Sequence, residues 1–439
     1  MQSFRNHRID RRRFSIGSAA AFAAVPFMPG INLAAQDASP AAFEGGEDQL
    51  EIFSWWTAGS EAAGLEELFN AFSATAPDVE IVNAAVAGGA GSNAQAALQT
   101  RLQGGDPPDS WQSHPGEELL ARYVEPGFCE PITYLWDEEG WNDAIPEGLA
   151  EQSTIDGEKY LIPVGVHRGN VMFYNRQVLE DNGVEIGDSI SVDDFFAACD
   201  TLQGADVTPL ALGSIDGFEA PHMFECILAA TLGPESYNGL WTGEVGWDSE
   251  EVTSAIETFA RALDYVNEDH PALTWDGAME YVLDGSAAFT IMGDWAWGNV
   301  VLQEREDEFG YVAAPGTENA FITVVDGFTL PVNAPHPMNA EQWLRVVGSA
   351  EAQITFAPFK GCIPARTDVD TSQLNEYGQW SANDFANLPS LPSNAHGAAA
   401  SPQFQSSISE AIVTFLVDKD VAMLQEALVF GAEDAGLGQ

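Results

Sequence analysis

Lysine is nearly missing from this chain of 439 residues. Only Lys159, Lys360 and Lys419 are present, and the 16 lysine and arginine residues face 67 aspartate and glutamate residues, for a formal net charge of −51. Because nucleic acids and anionic lipids are held by basic surfaces, this balance argues against both as partners. The acidic composition is halophile-like, since high salt screens the self-repulsion of such a surface. An acidic surface that serves solubility alone explains it equally well.

Cysteine is also scarce, and its spacing indicates no particular site. The four cysteines, Cys129, Cys199, Cys226 and Cys362, allow three disulfide pairings between which the sequence does not choose. Free buried thiols explain them as well. No Cys-x-x-Cys or His-x-x-x-His spacing occurs, so the sequence does not indicate a zinc site. We therefore expect neither a metal nor a cofactor.

Long hydrophobic runs are lacking too, and the apolar segment at residues 14–26 is short and ends in proline. It follows a basic head in which residues 10–16, Asp-Arg-Arg-Arg-Phe-Ser-Ile, resemble the twin-arginine export motif. We predict a twin-arginine-type signal peptide at residues 1–35 and a flexible leader at residues 36–48. The protein would then be exported to the periplasm or the outer face of the cell membrane. An ordinary N-terminal helix is the alternative.

Large aromatic residues are present at a point where a predicted strand gives way to a helix. Residues 50–54 have the pattern of a short strand, and Ser60 is predicted to cap the helix that follows. Trp55, Trp56 and Glu61 therefore lie at the carboxyl end of the strand, where open α/β sheets bind ligands. An indole face suits the apolar face of a sugar ring, and a carboxylate accepts hydrogen bonds from two neighbouring hydroxyls. Burial of both tryptophans in the core is the alternative.

Strands and helices alternate along the rest of the chain, which predicts an α/β fold. Polar or aromatic residues follow several of the predicted strands, namely His114, His167, Asp294, Trp295 and Asp326. They come from both halves of the chain, which indicates a single ligand cleft between two lobes. Pro163 lies inside the apolar segment 159–166, which favours an edge strand or a crossing segment over a central strand.

An ordered set of motifs resembles one protein family. The set is Glu51-Ile52-Phe53-Ser54-Trp55-Trp56, Gly88-Gly89-Ala90-Gly91, Gly105-Asp106-Pro107-Pro108-Asp109, Met292-Gly293-Asp294-Trp295, Lys360-Gly361 and His396-Gly397-Ala398. With these motifs in order, the chain from about Leu50 to its end resembles the family 1 extracellular sugar-binding proteins of ABC importers, of the glucose/galactose- and mannose-binding type. The resemblance implies a two-lobed, type II periplasmic-binding-protein-like fold that closes on its ligand by a hinge motion. Lobe 1 would hold residues 48–162 and 321–358, and lobe 2 residues 163–320 and 359–439.

The resemblance also implies which residues contact the sugar. These are Trp55, Trp56, Glu61, His114, His167, Asp294, Trp295, Asp326, Lys360 and His396, and one of the paired tryptophans is expected to face the ligand. Lys360 is a candidate site residue even without the resemblance, because it is one of only three lysines and lies next to Gly361. A structural role is the alternative for each histidine, and Trp275 is a second stacking candidate that fits a core position better. Pro115 and Trp297 depart from the family pattern, and either would narrow the pocket.

These inferences predict the substrate-binding component of an ABC sugar importer and not an enzyme. The protein would capture a neutral monosaccharide, with glucose first and galactose or mannose as alternatives, and would deliver it as a monomer to the permease subunits in the membrane. A secreted glycosidase that uses Glu61 and Asp294 is the alternative from another class, and an oligosaccharide or polyol ligand is a third. The sugar-binding hypothesis requires that the named groups converge on a pocket that the protein's own side chains do not fill.

Overall fold

Two β-sheets with helices packed against them make up most of the part of the chain that the structure describes. The structure is a computed structural model, and it describes residues 48–88 and 91–437. The described residues all belong to one compact unit. The predicted signal peptide at residues 1–35 and all but the last residue of the predicted leader lie outside the described residues.

The strands are short, and most of them alternate with helices. They are β1 (Gln49–Phe53), β2 (Glu80–Asn83), β3 (Ser110–Ser113), β4 (Cys129–Glu130), β5 (Thr154–Ile155), β6 (Glu158–Lys159), β7 (Leu161–Arg168), β8 (Val171–Asn175), β9 (Thr208–Ala211), β10 (Ala287–Met292), β11 (Phe309–Ala313), β12 (Phe321–Pro331), β13 (Ile363–Pro364) and β14 (Ser390–Pro392). The first sheet has the order β13-β7-β12-β3-β1-β2, with β4 and β14 also paired to β12. The second sheet has the order β11-β8-β10-β9, and β5 and β6 form a separate pair.

The helices cover both sheets. They are α1 (Gly59–Thr75), α2 (Ser92–Gln103), α3 (Glu117–Leu119), α4 (Thr133–Glu138), α5 (Trp141–Ala144), α6 (Glu147–Gln152), α7 (Arg176–Asp181), α8 (Val192–Gly204), α9 (Glu219–Thr242), α10 (Glu250–Ala262), α11 (Trp275–Leu283), α12 (Trp295–Leu302), α13 (Pro337–Val347), α14 (Ala350–Lys360), α15 (Glu376–Asn387), α16 (Pro402–Asp418) and α17 (Val421–Asp434). The mixed α/β fold predicted from the alternating pattern is confirmed. None of the described helices is both long enough and apolar enough to span a bilayer.

The strands β7 and β12 carry the chain between the two sheets. β7 ends at Arg168 in the first sheet, and β8 begins the second sheet only three residues later. β12 returns the chain to the first sheet and pairs with both β7 and β3. The segment 159–166, which the sequence favoured as an edge strand or a crossing segment, thus overlaps β7. The lobe boundaries stay a prediction, and the short strands β13 and β14 pair with the first sheet.

Pro163 lies within β7, which is an inner strand and not the edge strand that was one of the two sequence interpretations. The register between β7 and β12 shifts between Asp326 and Gly327, and Pro163 is aligned with Gly327 at this shift. A proline has no N–H group to donate, so a local irregularity allows it to occupy an inner strand. The same irregularity lies beside Asp326, a residue of the candidate site.

The start of α1 also differs from the sequence prediction. The helix begins at Gly59, its N-cap residue is Ala58, and no side chain caps it. The backbone N–H of Ser60 instead donates to Oδ1 of Asn299 at 3.2 Å, which joins α1 to α12. Ser60 was predicted as the cap from its residue type, but this tertiary contact supplies the acceptor. All four cysteines are buried free thiols.

Candidate functional site

A small cavity lies where loops and termini of elements from distant parts of the chain meet. It is lined by Trp55, Glu61, His114, Phe218, Trp275, Trp295, Val324, Asp326, Lys360 and His396. Its volume is about 40 Å³, which is close to the share of one water molecule in the liquid. A wider cavity of about 400 Å³ shares Trp55, Glu61 and Trp275 with it. We call these the inner and the outer cavity. Of the two, the outer one has the volume of a small-ligand pocket.

Seven of the ten predicted site residues line the inner cavity. They are Trp55, Glu61, His114, Trp295, Asp326, Lys360 and His396. The convergence that the sequence hypothesis requires is therefore present, although these residues come from the connections of both sheets. The requirement for open space is not met by the inner cavity, whose volume is about 40 Å³. The outer cavity has the space, but of the ten predicted residues only Trp55 and Glu61 line it. The assignment of these residues to a sugar site therefore stays a prediction.

The two neighbouring tryptophans after β1 have different environments. Trp55 lines both cavities, and its backbone N–H donates to the Gln112 side chain at 3.3 Å. Trp56 is fully buried and packs against Phe328 and Phe356 at ring-centroid distances of 5.9 and 5.3 Å. Successive side chains at the end of a strand point to opposite sides, so only one of the pair reaches the cavity. Trp56 is thus a core residue and lines neither cavity.

Lys360 is the last residue of α14 and, of the three lysines, the one that lines the inner cavity. Its side chain is buried, and Nζ donates to Oε1 of Glu61 at 2.9 Å and lies 3.7 Å from Oδ2 of Asp326. Burial alone would lower the pKa of Lys360, but the carboxylates of Glu61 and Asp326 raise it above its usual value. The amine is therefore a charged donor. The carboxyl end of a helix favours a cation there.

Asp326 is the residue on which most of these hydrogen bonds converge. It accepts hydrogen bonds from Gln112 Nε2 at 2.8 Å and from His167 Nε2 at 3.0 Å, and Nε2 of His114 lies 3.6 Å away. Burial opposes ionisation, but the charge of Lys360 and the bond from His167 hold the pKa of Asp326 well below its usual range. Asp326 is therefore an ionised acceptor at the wall of the inner cavity.

His167 and Asp294 lie behind this wall and line neither cavity. Both are fully buried. Nδ1 of His167 bonds to Asp294, whose other oxygen accepts from the Arg168 backbone N–H at 2.8 Å. Burial and Lys360 lower the pKa of His167, but Asp294 and Asp326 raise it overall. Burial raises the pKa of Asp294 despite the neighbouring imidazole. The resemblance implied sugar contacts for both, and the structure places them as supports that orient Asp326.

Two further imidazoles reach the cavity in different protonation environments. His114 follows β3, and its Nδ1 bonds to Oε2 of Glu118 at 2.9 Å. Burial would lower the pKa of His114, but the Glu118 carboxylate raises it above its usual value. His396 follows β14, and burial together with nearby histidines holds its pKa well below the usual range. His114 is therefore suited to donate, whereas neutral His396 both donates and accepts.

Three of the lining residues were not among the predicted site residues. Trp275 was a second stacking candidate for which a core position fitted better, but it is half-buried and lines both cavities. Phe218 precedes α9 in a loop, and Val324 is an apolar residue of β12, so neither carries a sequence signal for a site. Gln112, which orders Asp326, was missed as well. Its place inside a strand is the one signal that could have indicated a buried polar contact.

The two residues that departed from the family pattern line neither cavity. Pro115 is buried beside His114. Trp297 is buried in α12 and stacks on Phe173 and Tyr377 at centroid distances of 6.0 and 5.6 Å. Its ring therefore adds to the core and does not narrow the pocket as the sequence suggested.

Glu219, the first residue of α9, carries a buried carboxyl group next to Phe218. Its Oε1 has no hydrogen-bond partner among the described residues, and burial raises its pKa from 4.5 to about 7. Because the folded pKa lies above the unfolded one, this group costs stability increasingly as pH rises from about 4.5 to about 7. We expect Glu219→Gln to reduce the loss of unfolding free energy between pH 5 and pH 8 by about 3 kcal/mol. Urea unfolding at the two pH values measures this, and parallel pH dependence in both proteins would contradict it.

Comparison with known proteins shows the family to which the chain belongs. The family model for bacterial extracellular solute-binding proteins matches residues 67–386. An uncharacterized ABC transporter extracellular-binding protein of Pyrococcus horikoshii is 34% identical over 378 residues, which cover 85% of each chain. This chain belongs to the bacterial extracellular solute-binding protein family.

Two further comparisons place this solute-binding protein among its relatives. A xylose/arabinose-binding protein of Haloferax volcanii is 30% identical over 369 residues, which cover 82% of this chain and 79% of that one. The crystal structure of a bacterial solute receptor with a preference for β-D-galactopyranose superposes with a TM-score of 0.77. It covers 89% of this chain and 99% of the receptor at 19% identity, so that likeness concerns the fold alone. The relatives are binding proteins and not enzymes.

Proposed function

We propose that this solute-binding protein captures a neutral monosaccharide and delivers it to the permease of an ABC importer, with glucose as the first candidate. The observation that carries the proposal is the composition of the inner cavity wall. The side chains of Trp55, Trp275 and Trp295 line it together with charged hydrogen-bonding groups. Lys360 is balanced by Glu61 and Asp326, so the wall favours an uncharged ligand. A sugar ring offers apolar faces to the indoles and hydroxyls to the rest.

Ligand entry requires rearrangement of the groups around the inner cavity, because its volume of about 40 Å³ holds no sugar ring. The ring would occupy the outer cavity between Trp55 and Trp275, and its hydroxyls would replace part of the Lys360–Glu61 contact. The chain segments that carry these groups come from both sheets and their connections. A ligand that bonds to both sides favours the closed state, which is how hinge closure is driven.

The sequence is also the basis for proposals about export, oligomeric state and location. We propose that the signal peptide directs export by the twin-arginine route, and that the protein acts as a monomer in the periplasm or on the outer face of the membrane. Family membership supports an extracytoplasmic location. The net charge of −51 supports optimal folding in high salt, because screening reduces the mutual repulsion of the carboxylates.

Calorimetric titration of the purified protein in high salt tests the proposal. The panel is glucose, galactose, mannose, xylose and arabinose, with maltotriose as the oligosaccharide control. The two pentoses are included because the Haloferax relative is a xylose/arabinose-binding protein. We expect saturable 1:1 binding of one monosaccharide. Binding of maltotriose alone, or no heat with any sugar, would overturn the proposal.

The glycosidase alternative receives no support from the geometry. It needs two carboxyl groups that flank the ligand, and Asp294 is fully buried behind the wall and bonded to His167. Incubation with chromogenic glycosides is expected to release no product. Turnover would favour the enzyme over the binding protein.

Gly91 is expected to position Trp55. Its φ of +94° is a conformation that side chains disfavour, and a Cβ atom added there would lie 2.8 Å from the Trp55 ring. We predict that Gly91→Ala moves the indole and weakens monosaccharide binding about tenfold, or about 1.4 kcal/mol. Titration of the variant measures this. Gly127 has a φ of +77° and no atom within 4 Å of an added Cβ, so Gly127→Ala is the control that carries the backbone strain without the contact.

A further inference from the structure

Three buried side chains that can ligate metals meet beside the inner cavity. His222 and Glu225 lie one turn apart on α9, and His396 follows β14. All three are buried, and one ligand atom from each lies within 4.8 Å of the others. His396 also lines the inner cavity. No sequence pattern indicated this group, because the first two residues are far from the third along the chain.

His222 presents an unpaired lone pair to this group. Its Nε2 lies 2.8 Å from the Gly169 carbonyl oxygen, so Nε2 carries the proton and Nδ1 is an acceptor. Nδ1 has no hydrogen-bond partner among the described residues and lies 3.6 Å from Oε1 of Glu225. Two acceptor atoms therefore face each other in a buried space, where an unsatisfied polar atom is costly. A cation between them removes this cost.

The loop after β14 orients the other two side chains of the group, Glu225 and His396. Ser393 Oγ donates to Oε1 of Glu225 at 2.7 Å and lies 2.9 Å from Nδ1 of His396. Because the hydroxyl has one proton, His396 Nδ1 must donate to it, which leaves a lone pair on Nε2 of His396. The backbone N–H groups of Asn394 and Ala395 donate to Oε2 of Glu225 at 2.9 and 3.1 Å. Such supporting bonds orient the ligands of metal sites.

We propose that His222, Glu225 and His396 bind one divalent metal ion with the ligand preference of zinc. Two neutral imidazoles and one carboxylate are a common protein donor set for Zn²⁺, with a fourth position left for water or a bound ligand. Zinc bonds to these atoms are about 2.0–2.2 Å long, so atoms within 4.8 Å of each other reach a shared ion by shifts of about 1 Å or less.

The ion would hold His396 at the wall of the inner cavity. The ring of His396 packs against Trp295 and His222 at centroid distances of 5.0 and 5.4 Å. A metal bond from the imidazole would restrict the rotation of its ring. Metal binding by the three residues does not depend on which ligand the cavity takes, so it is tested separately from the proposed function.

The experiment is a Zn²⁺ titration of the full-length protein after removal of metals by a chelator. The titration is done with excess Ca²⁺ and in high salt, so that the many surface carboxylates do not contribute weak zinc binding. We expect one equivalent of tightly bound zinc by calorimetry and by elemental analysis, and a visible absorption band of tetrahedral Co²⁺ when cobalt is used instead. His222→Gln and Glu225→Gln should each weaken zinc binding at least tenfold and abolish the cobalt band.

Two matched variants control for other sites. Glu219→Gln removes another buried carboxyl group from α9, and His270→Gln removes an imidazole whose Nδ1 bonds to Ser214. Both should bind zinc as the unmodified protein does. Thermal unfolding of each metal-free variant establishes that it is folded, and sugar titration of the same samples reports the proposed function independently.

The proposal fails if the unmodified protein binds no zinc under these conditions, or if the His222 and Glu225 variants keep full affinity. In the first case a proton satisfies the group instead, since burial raises the pKa of Glu225 to about 7. In the second case the ion lies elsewhere. Sugar binding that persists in a protein without zinc would leave the proposed function intact.

Discussion

Replacing Lys360 with methionine is expected to lower the unfolding free energy by about 3–5 kcal/mol and to abolish monosaccharide binding. The amine is buried and lies 2.9 Å from Glu61 and 3.7 Å from Asp326. Without it, Asp326 remains an ionised carboxylate in a buried position whose main compensating charge is gone. Removal of one partner of a buried pair costs more than the pair itself contributes, because the other charge is left unpaired. The lost donor also removes one side of the ligand's hydrogen bonds.

The matched control is Lys419→Met. Lys419 pairs with Asp264 at 2.6 Å, but both side chains are accessible to solvent, and exposed pairs contribute at most about 1 kcal/mol. Urea unfolding of both variants at neutral pH and fixed salt measures the difference, and sugar titration follows on the folded samples. A stability loss below about 1 kcal/mol for Lys360→Met would show that Asp326 is neutralised in another way. Undiminished sugar affinity would remove Lys360 from the binding site.

Replacing Trp55 with alanine is expected to weaken monosaccharide binding by about 2 kcal/mol or more, which is about thirtyfold. Trp55 is the one member of the tryptophan pair that lines both cavities, and its ring lies 5.1 Å from that of His114. Loss of the indole removes a stacking face and admits water to the polar groups beside it. Because the ring is only half-buried, the unfolding free energy should fall much less than for a core tryptophan.

Trp380→Ala is the control that distinguishes the loss of a ligand contact from the loss of an aromatic residue elsewhere in the protein. Trp380 is also half-buried, but it packs against Arg168 and Tyr377 and lines neither cavity. This variant should lose stability and keep its sugar affinity. Equal affinity losses in the two variants would mean that Trp55 acts through folding and not by contact. Calorimetry at one salt concentration, with the stability of each variant measured alongside, distinguishes these outcomes.

The α/β class was predictable from the sequence because its signals are local. A strand followed by a turn and an amphipathic helix is visible within about 25 residues, as at β1 and α1, and the structure has both. The residues that follow strands were also found by this logic. His114 after β3 and Trp295 after β10 reach the inner cavity. Whether a residue lies at the end of a strand depends on the residues next to it in the sequence.

The direction of each side chain at those ends depends on distant partners. Trp56 turns to the core because Phe328 and Phe356 fill the space on its side. Asp294 turns away from the cavity because His167 and the Arg168 backbone bind it. No local pattern carries these contacts, and a one-residue alternation changes the side that a residue faces.

The amino-acid sequence by itself determined the acidic charge, the alternation of strands and helices, and the aromatic and polar residues near the site. It could not determine the cavity membership of Phe218 and Val324, the exclusion of Trp56, and the meeting of His222, Glu225 and His396, because they result from tertiary packing. Composition and periodicity are properties of neighbouring residues. A cavity and a ligand cluster arise where the fold brings together side chains that the chain itself keeps far apart.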